Sequence, residues 1–322
     1  MNRKAAPRFA RIVVPLDGSA LAEQALPYAL AVGGDEAELL LVMVVPSIAG
    51  QKERLGFDAG SLPVVRPDGE REAQEELLRA ATTLLGERPN VQIQVTAGDP
   101  ATEILRIADQ RGADLIVLAS HGRGAIGRVA FGSVADRVAH ASPIPVMIVR
   151  PQDAAAEPAP VVIHRLVVPL DGSELAAQAL PVAEALARQL GVPTVLVRAV
   201  DLIEALGPIA DALVIPPEVV ADAQTEAQRS LEAAATSLRE KGIEAETQIW
   251  TGPAFNVLAE AARPGDLVVL CSHGRSGVMR WLLGSVAEKL VRVGPVPVVV
   301  VPVRGRGSTE IDPTTEVGRA QS

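Results

Sequence analysis

Glycine, serine and arginine cluster twice in this chain and in the same order: "SHGRGAIGRVAFGSVAD" at 120–136 and "SHGRSGVMRWLLGSVAE" at 272–288. Glycines let backbone amides come close to a ligand, and a helix start offers unsatisfied N–H groups and the positive end of a dipole. Such a loop suits the grip of a polyphosphate, with Arg123, Arg128, Arg275 and Arg280 available to neutralise charge. In each copy Gly122 or Gly274, directly after an apolar run, faces Gly132-Ser133 or Gly284-Ser285 ten residues on. A structural account stands beside this one. The glycines would be turn residues, and "SVAD" and "SVAE" would be capping boxes in which Ser133 and Ser285 satisfy free backbone donors at a helix start. The two accounts are compatible.

A second repeated feature is "VVPLDGS", at 13–19 and again at 167–173. Asp17 and Asp171 end an apolar run and precede Gly-Ser. Each could cap the turn into the next helix, or accept hydrogen bonds from a nucleoside, as acids near parallel sheets do from ribose. His121 and His273 have no partner Ser, Cys or paired acid at a spacing that supports general-base catalysis, so they are expected to hold the loop. Neither a G-x-x-x-x-G-K-[ST] loop nor a G-x-S-x-G elbow occurs in the chain.

The elements that position these residues follow from an internal repeat as long as a domain. "TAGDPATEILRIA" (96–108) answers to "WTGPAFNVLAEAA" (250–262), "GADLIVLASHGR" to "PGDLVVLCSHGR", and "SPIPVMIVR" to "GPVPVVVVP". The expected organisation is a first domain over 9–150, an Ala/Pro-rich linker over 151–162, a second domain over 163–303 and a disordered polar tail over 304–322. In the first repeat, strands are expected over 11–15, 39–45, 91–96, 115–119 and 146–149. Helices are expected over 19–31, 70–85, from Asp99-Pro100 to about 111, and over 133–141. Strands that are apolar throughout and alternate with helices make a parallel sheet covered on both faces, with ligands outside the strands' C-terminal ends. Segments 47–69 and 202–217 carry no helix or strand signal and are expected to be lids of different length.

Composition narrows the function classes. The 322 residues carry a formal net charge of −9 and only 2% aromatics, which argues against a sequence-independent nucleic-acid binder, since that needs a basic face and stacking platforms. With a single cysteine, Cys271, there is no intrachain disulfide and no thiolate metal site. His121, His140, His164 and His273 show no metal-ligand spacing. No stretch approaches the ~18 apolar residues of a spanning helix. The expectation is a cytoplasmic protein without nucleic-acid or membrane partners.

Taken together, "VVPLDGS", "GDPATEIL", "SHGR" followed by "GSVA", and a "P-x-P-V" strand resemble the universal stress proteins in their tandem two-domain form. The resemblance covers about 9–150 and 163–303. It implies two open five-stranded parallel sheets of order 3-2-1-4-5 with helices on both faces, the adenine-nucleotide alpha-hydrolase-like fold. It also implies a nucleotide pattern G-x-x-G, nine residues, then G-[ST]. Carried over, that pattern assigns Gly122 and Gly274, with His121, Arg123, His273 and Arg275 beside them, and Gly132-Ser133-Val134 and Gly284-Ser285-Val286. Asp17 and Asp171 fall where an aspartate contacts the nucleoside, and Val44 and Ala199 where a second-strand residue lines the adenine. Ala119 and Cys271 replace the first glycine of the pattern. If that backbone required positive φ, each Cβ would cost on the order of 1 kcal/mol.

The implied ligand is ATP, with or without Mg2+; ADP and AMP are alternatives. Binding is expected in both halves, more weakly in the second because of Cys271 and its missing second-strand valine. The family also implies pairing through the last strand, here an internal pseudo-dimer, and is compatible with a homodimer of two chains. A nucleotide-dependent stress or signalling protein is the leading expectation. A slow ATPase and an interaction module with a decayed site are the alternatives.

Overall fold

The computed structural model describes residues 9–46, 69–86, 88–120, 132–150, 158–201, 216–272 and 283–303. In the first repeat these form β1 (Arg11–Leu16), α1 (Ala20–Glu23), α2 (Ala25–Gly33), β2 (Glu38–Pro46), α3 (Gly69–Leu85), β3 (Val91–Gly98), α4 (Pro100–Gln110), β4 (Leu115–Ala119), α5 (Ser133–Ala141) and β5 (Val146–Val149). The second repeat runs β6 (Arg165–Pro169), α6 (Glu174–Ala177), α7 (Leu180–Leu190), β7 (Thr194–Val200), α8 (Pro217–Glu240), β8 (Ala245–Thr251), α9 (Ala254–Ala261), β9 (Asp266–Cys271), α10 (Ser285–Val293) and β10 (Val298–Val301).

Within each repeat the strands are parallel and ordered third, second, first, fourth, fifth. The two sheets are not separate. β5 pairs antiparallel with β10, Met147 opposite Val299, so one ten-stranded sheet runs β3-β2-β1-β4-β5-β10-β9-β6-β7-β8. The last strands are apolar at every position and fully buried, as "VMIV" and "VVVV" demand, and the seam hides what would otherwise be two exposed edges. Helices cover both faces. Leu26, Leu77, Leu186 and Leu231 pack on one face, and Ile104, Val138, Val257 and Leu290 on the other. Each core spans both repeats, and Gln189 of α7 reaches across to accept from the Phe9 N–H (3.2 Å) and donate to the Val32 carbonyl (2.7 Å).

One expected helix is two. The segment over 19–31 breaks at Gln24, because Pro27 has no N–H for the carbonyl four residues back, that of Glu23, and its ring crowds that carbonyl. Pro181 has the same effect in the second repeat, where α6 ends at Ala177, four residues before it. Most of both proposed lids, the start of the linker and the polar tail lie outside the described residues.

Candidate functional site

In both repeats the first strand ends in a tight turn. Gly18 and Gly172 adopt φ of 77° and 83°, a conformation that favours glycine. The Asp17 carboxylate accepts from the Ser19 N–H (3.0 Å) and hydroxyl (2.6 Å), and Asp171 from the Ser173 N–H (2.8 Å). Ser19 and Ser173 cap the following helices by accepting from Ala22 N–H and Ala176 N–H. The aspartates therefore do shape the turn, and they stand half-buried at the strands' C-terminal rim.

Beside this turn the fourth strand and the next helix are pinned together. The Gly132 N–H donates to the Ser120 carbonyl at 2.6 Å, and the Gly284 N–H to the Ser272 carbonyl at 2.6 Å. The starts of α5 and α10 therefore sit at the ends of β4 and β9. Val44 and Val134 pack half-buried against the same sheet face, as do Ala199 and Val286 in the second copy. His121, Gly122, Arg123, His273, Gly274 and Arg275, with Arg128 and Arg280, lie outside the described residues.

The capping boxes do not form. The N-caps are Gly132 and Gly284, and neither helix has a side-chain cap. A box needs the acidic side chain to reach back to the N-cap N–H, and that N–H is already held by the strand-end carbonyl. Ser133 and Ser285 are instead the first helical residues and are exposed.

Strain at the first glycine position is also absent. Ala119 and Cys271 are the last residues of β4 and β9, in register with Val149 and Val301, where extended backbone accepts any Cβ. The Cys271 side chain is buried in the core rather than directed into the loop. Burial, and then the nearby Asp171 charge, push its thiol up to about 12, so the thiol is neutral at ordinary pH.

The repeats differ at a residue that motif spacing does not reveal. Pro15 pairs with Val42 and Pro169 with Val197, so Arg198 occupies the position of Met43. The Arg198 guanidinium lies over Gly172, the residue after Asp171, within 2.9–3.1 Å of where a Cβ would stand. Its only signal in the sequence is a charge inside the otherwise apolar strand "TVLVRAV".

A further difference stiffens the first repeat alone. Asp99 caps α4 by accepting from the Thr102 N–H (3.1 Å), and Arg137 of α5 holds both its oxygens, at 2.8 and 2.7 Å. Pro253 and Lys289 stand at these positions in the second repeat. The Arg137 hydrogen bonds hold the Asp99 carboxyl well below the usual carboxylate range. With the folded pKa depressed, its contribution is present above about pH 4, the unfolded value, and is lost as pH falls below that. Asp99→Ala is expected to cost about 1–2 kcal/mol, mostly the cap, and Asp99→Asn only about 0.2–1 kcal/mol from the partly exposed pair. Urea melts at pH 7 and pH 3 check this: the difference between wild type and Asp99→Asn should shrink at pH 3.

Fold and repeats together define a duplicated open-sheet α/β protein in which the Asp-Gly-Ser turn and the Gly-Ser helix start stand at the C-terminal rims of both sets of strands. The chain belongs to the universal stress protein family, whose model matches residues 8–150 and again 163–302. It is 28% identical over 297 residues to a universal stress protein of Mycolicibacterium smegmatis, covering 90% of this chain and 96% of the relative. A universal stress protein of Mycobacterium tuberculosis is 28% identical over 217 residues, 66% of this chain and 68% of the relative. The fold matches the crystal structure of a universal stress protein from Archaeoglobus fulgidus with a TM-score of 0.63 at 21% identity, over 91% of this chain and 98% of that one. No helix among the described residues is long and apolar enough to cross a membrane, and no three metal-ligand side chains converge there.

Proposed function

We propose that this protein binds an adenine nucleotide, ATP first among them, at the strand rims and acts through the bound state as a stress-response or signalling protein rather than as a fast enzyme. The observation that carries this is the pinned helix start. In both repeats a strand-end carbonyl clamps the Gly132 or Gly284 amide, which leaves the next helix with exposed first-turn donors and a serine hydroxyl not spent on capping. Those groups suit phosphate oxygens. Asp17 and Asp171 supply carboxylates for a ribose, and the Val44–Val134 and Ala199–Val286 surfaces supply apolar walls for a base. Mg2+ would accompany the phosphates.

The two halves are expected to differ in affinity. A guanidinium over Gly172, next in sequence to Asp171, would compete with a ribose hydroxyl for that carboxylate, whereas Met43 in the first repeat offers no such cation. Cys271, buried and unstrained, is the lesser obstacle.

Binding of a mant-ATP analogue to single variants tests the assignment. Gly122→Val is expected to weaken the tighter binding event about tenfold or more, and Gly274→Val the weaker one, because a branched side chain blocks close backbone approach to a phosphate. Arg198→Met is expected to bring the second affinity toward the first. Unchanged binding in both glycine variants would remove the assignment. Mass spectrometry of ligand carried through purification supplies the nucleotide's identity.

A further inference from the structure

We propose that His140, in the first repeat, is a positioning residue for the phosphate end of the second repeat's site. The inference rests on the nucleotide assignment above for its consequence and on hydrogen-bond geometry for its contact.

The antiparallel seam reverses strand direction between the repeats, so the C-terminal rim of one lies beside the N-terminal rim of the other. Helix α5 begins at Ser133, at the first repeat's own site, and runs back along the sheet. Its last turn therefore arrives at the second repeat's rim. There His140 Nδ1 lies 2.6 Å from the carbonyl of Asp136. A carbonyl only accepts, so Nδ1 carries the proton. Nε2 then presents a lone pair, and it accepts from the Leu283 N–H at 3.2 Å, across 143 residues of sequence. The Asp136 carboxylate, 3.5 Å from Nδ1, lies on the same side of the ring as that proton.

Leu283 directly precedes Gly284-Ser285. Its side chain is buried, and the next amide, that of Gly284, is held by the Ser272 carbonyl. Two consecutive amides at the mouth of the second loop are thus tied down, one by its own repeat and one by the other. The arrangement is not reciprocal. The position equivalent to His140 in α10 is Arg292, whose guanidinium has no acceptor for an N–H. The second site is therefore supported from the first repeat by a bond that Arg292, as a donor only, has no lone pair to return.

Two variants of the full chain test this, His140→Leu, which has no acceptor, and His140→Gln, whose Oε1 reaches about as far as Nε2. Amide hydrogen exchange at Leu283 is expected to quicken about three- to tenfold in His140→Leu and to return to the wild-type rate in His140→Gln. With Asp17→Ala silencing the first site, mant-ATP affinity is expected to fall about three- to tenfold with His140→Leu and to recover within about twofold with His140→Gln. With Asp171→Ala silencing the second, neither change should alter affinity. Equal exchange in wild type and His140→Leu, failure of glutamine to restore, or an equal affinity loss in both backgrounds overturns the proposal. Absence of mant-ATP binding by the unaltered chain overturns the nucleotide assignment instead, and the exchange rates then still decide whether His140 holds Leu283.

Discussion

A chain carrying Val299→Asp is expected to lose about 4–7 kcal/mol of stability, a large part of the ~5–15 kcal/mol that holds a typical domain together. Val299 is fully buried at the centre of the seam, opposite Met147 across the antiparallel pairing and beside Val269 of the parallel one. A carboxyl there has apolar neighbours on both adjoining strands, so it must stay neutral, and holding it neutral at pH 7 requires a pKa raised by several units. Because each core spans both repeats, the loss should not be confined to the second half. Thermal melts followed by circular dichroism check this, with Val293→Asp as the control: Val293 is 43% exposed, and its substitution should change stability by no more than ~0.5 kcal/mol. A loss under about 2 kcal/mol at Val299 would show that the seam can open to admit a charge.

Asp266→Ala is expected to cost about 3–5 kcal/mol, and the equivalent Asp114→Ala in the first repeat only about 1–2 kcal/mol. The Asp266 side chain is 3% exposed and accepts from Arg165 through Nε (2.8 Å) and Nη2 (2.8 Å), and from the Arg263 N–H (2.7 Å). Arg165 is itself 16% exposed, so removing the carboxylate leaves a nearly buried cation with the Ala261 carbonyl and only the weaker pull of Glu246 in place of its hydrogen-bonded counter-charge. Asp114 holds only the backbone amides of Ala10 and Arg11, each at 3.0 Å, while the Arg11 guanidinium turns to the Arg111 carbonyl. Paired urea melts measure the difference. If the cost is that of an orphaned charge, the double variant Arg165→Met with Asp266→Leu should recover most of it; no recovery would mean that the pair is stabilising in its own right.

The duplication and most of the elements were open to inspection in the string itself, because they depend on local patterns: continuous apolar runs, Asp-Pro at a helix start, and "VVPLDGS" written twice; the strand order and the seam were expected only through the family resemblance. Features that depend on distant backbone were not. "SVAD" is a sound local signature of a capping box, and it failed because the Gly132 amide is held by a carbonyl twelve residues earlier in sequence, at Ser120. Ala119 and Cys271 looked like substitutions at a strained glycine, yet pairing with Val149 and Val301 keeps both extended. Arg198 is a single charge within an apolar strand, and its relation to Gly172 appears only once β6 and β7 are side by side. His140 gave no signal at all, since its partner lies in the other repeat.

The seam has one more consequence. Where two separate copies of one chain meet across a two-fold axis, every substitution appears at both sites, and the assembly comes apart on dilution. Here the same junction is closed within a single chain, so its integrity does not depend on protein concentration. Each half is also free to change alone. Arg198 without a counterpart, His140 answered by Arg292, and Asp99–Arg137 answered by Pro253 and Lys289 are asymmetries that a symmetric dimer could not hold. Covalent linkage gives this molecule two non-equivalent ends.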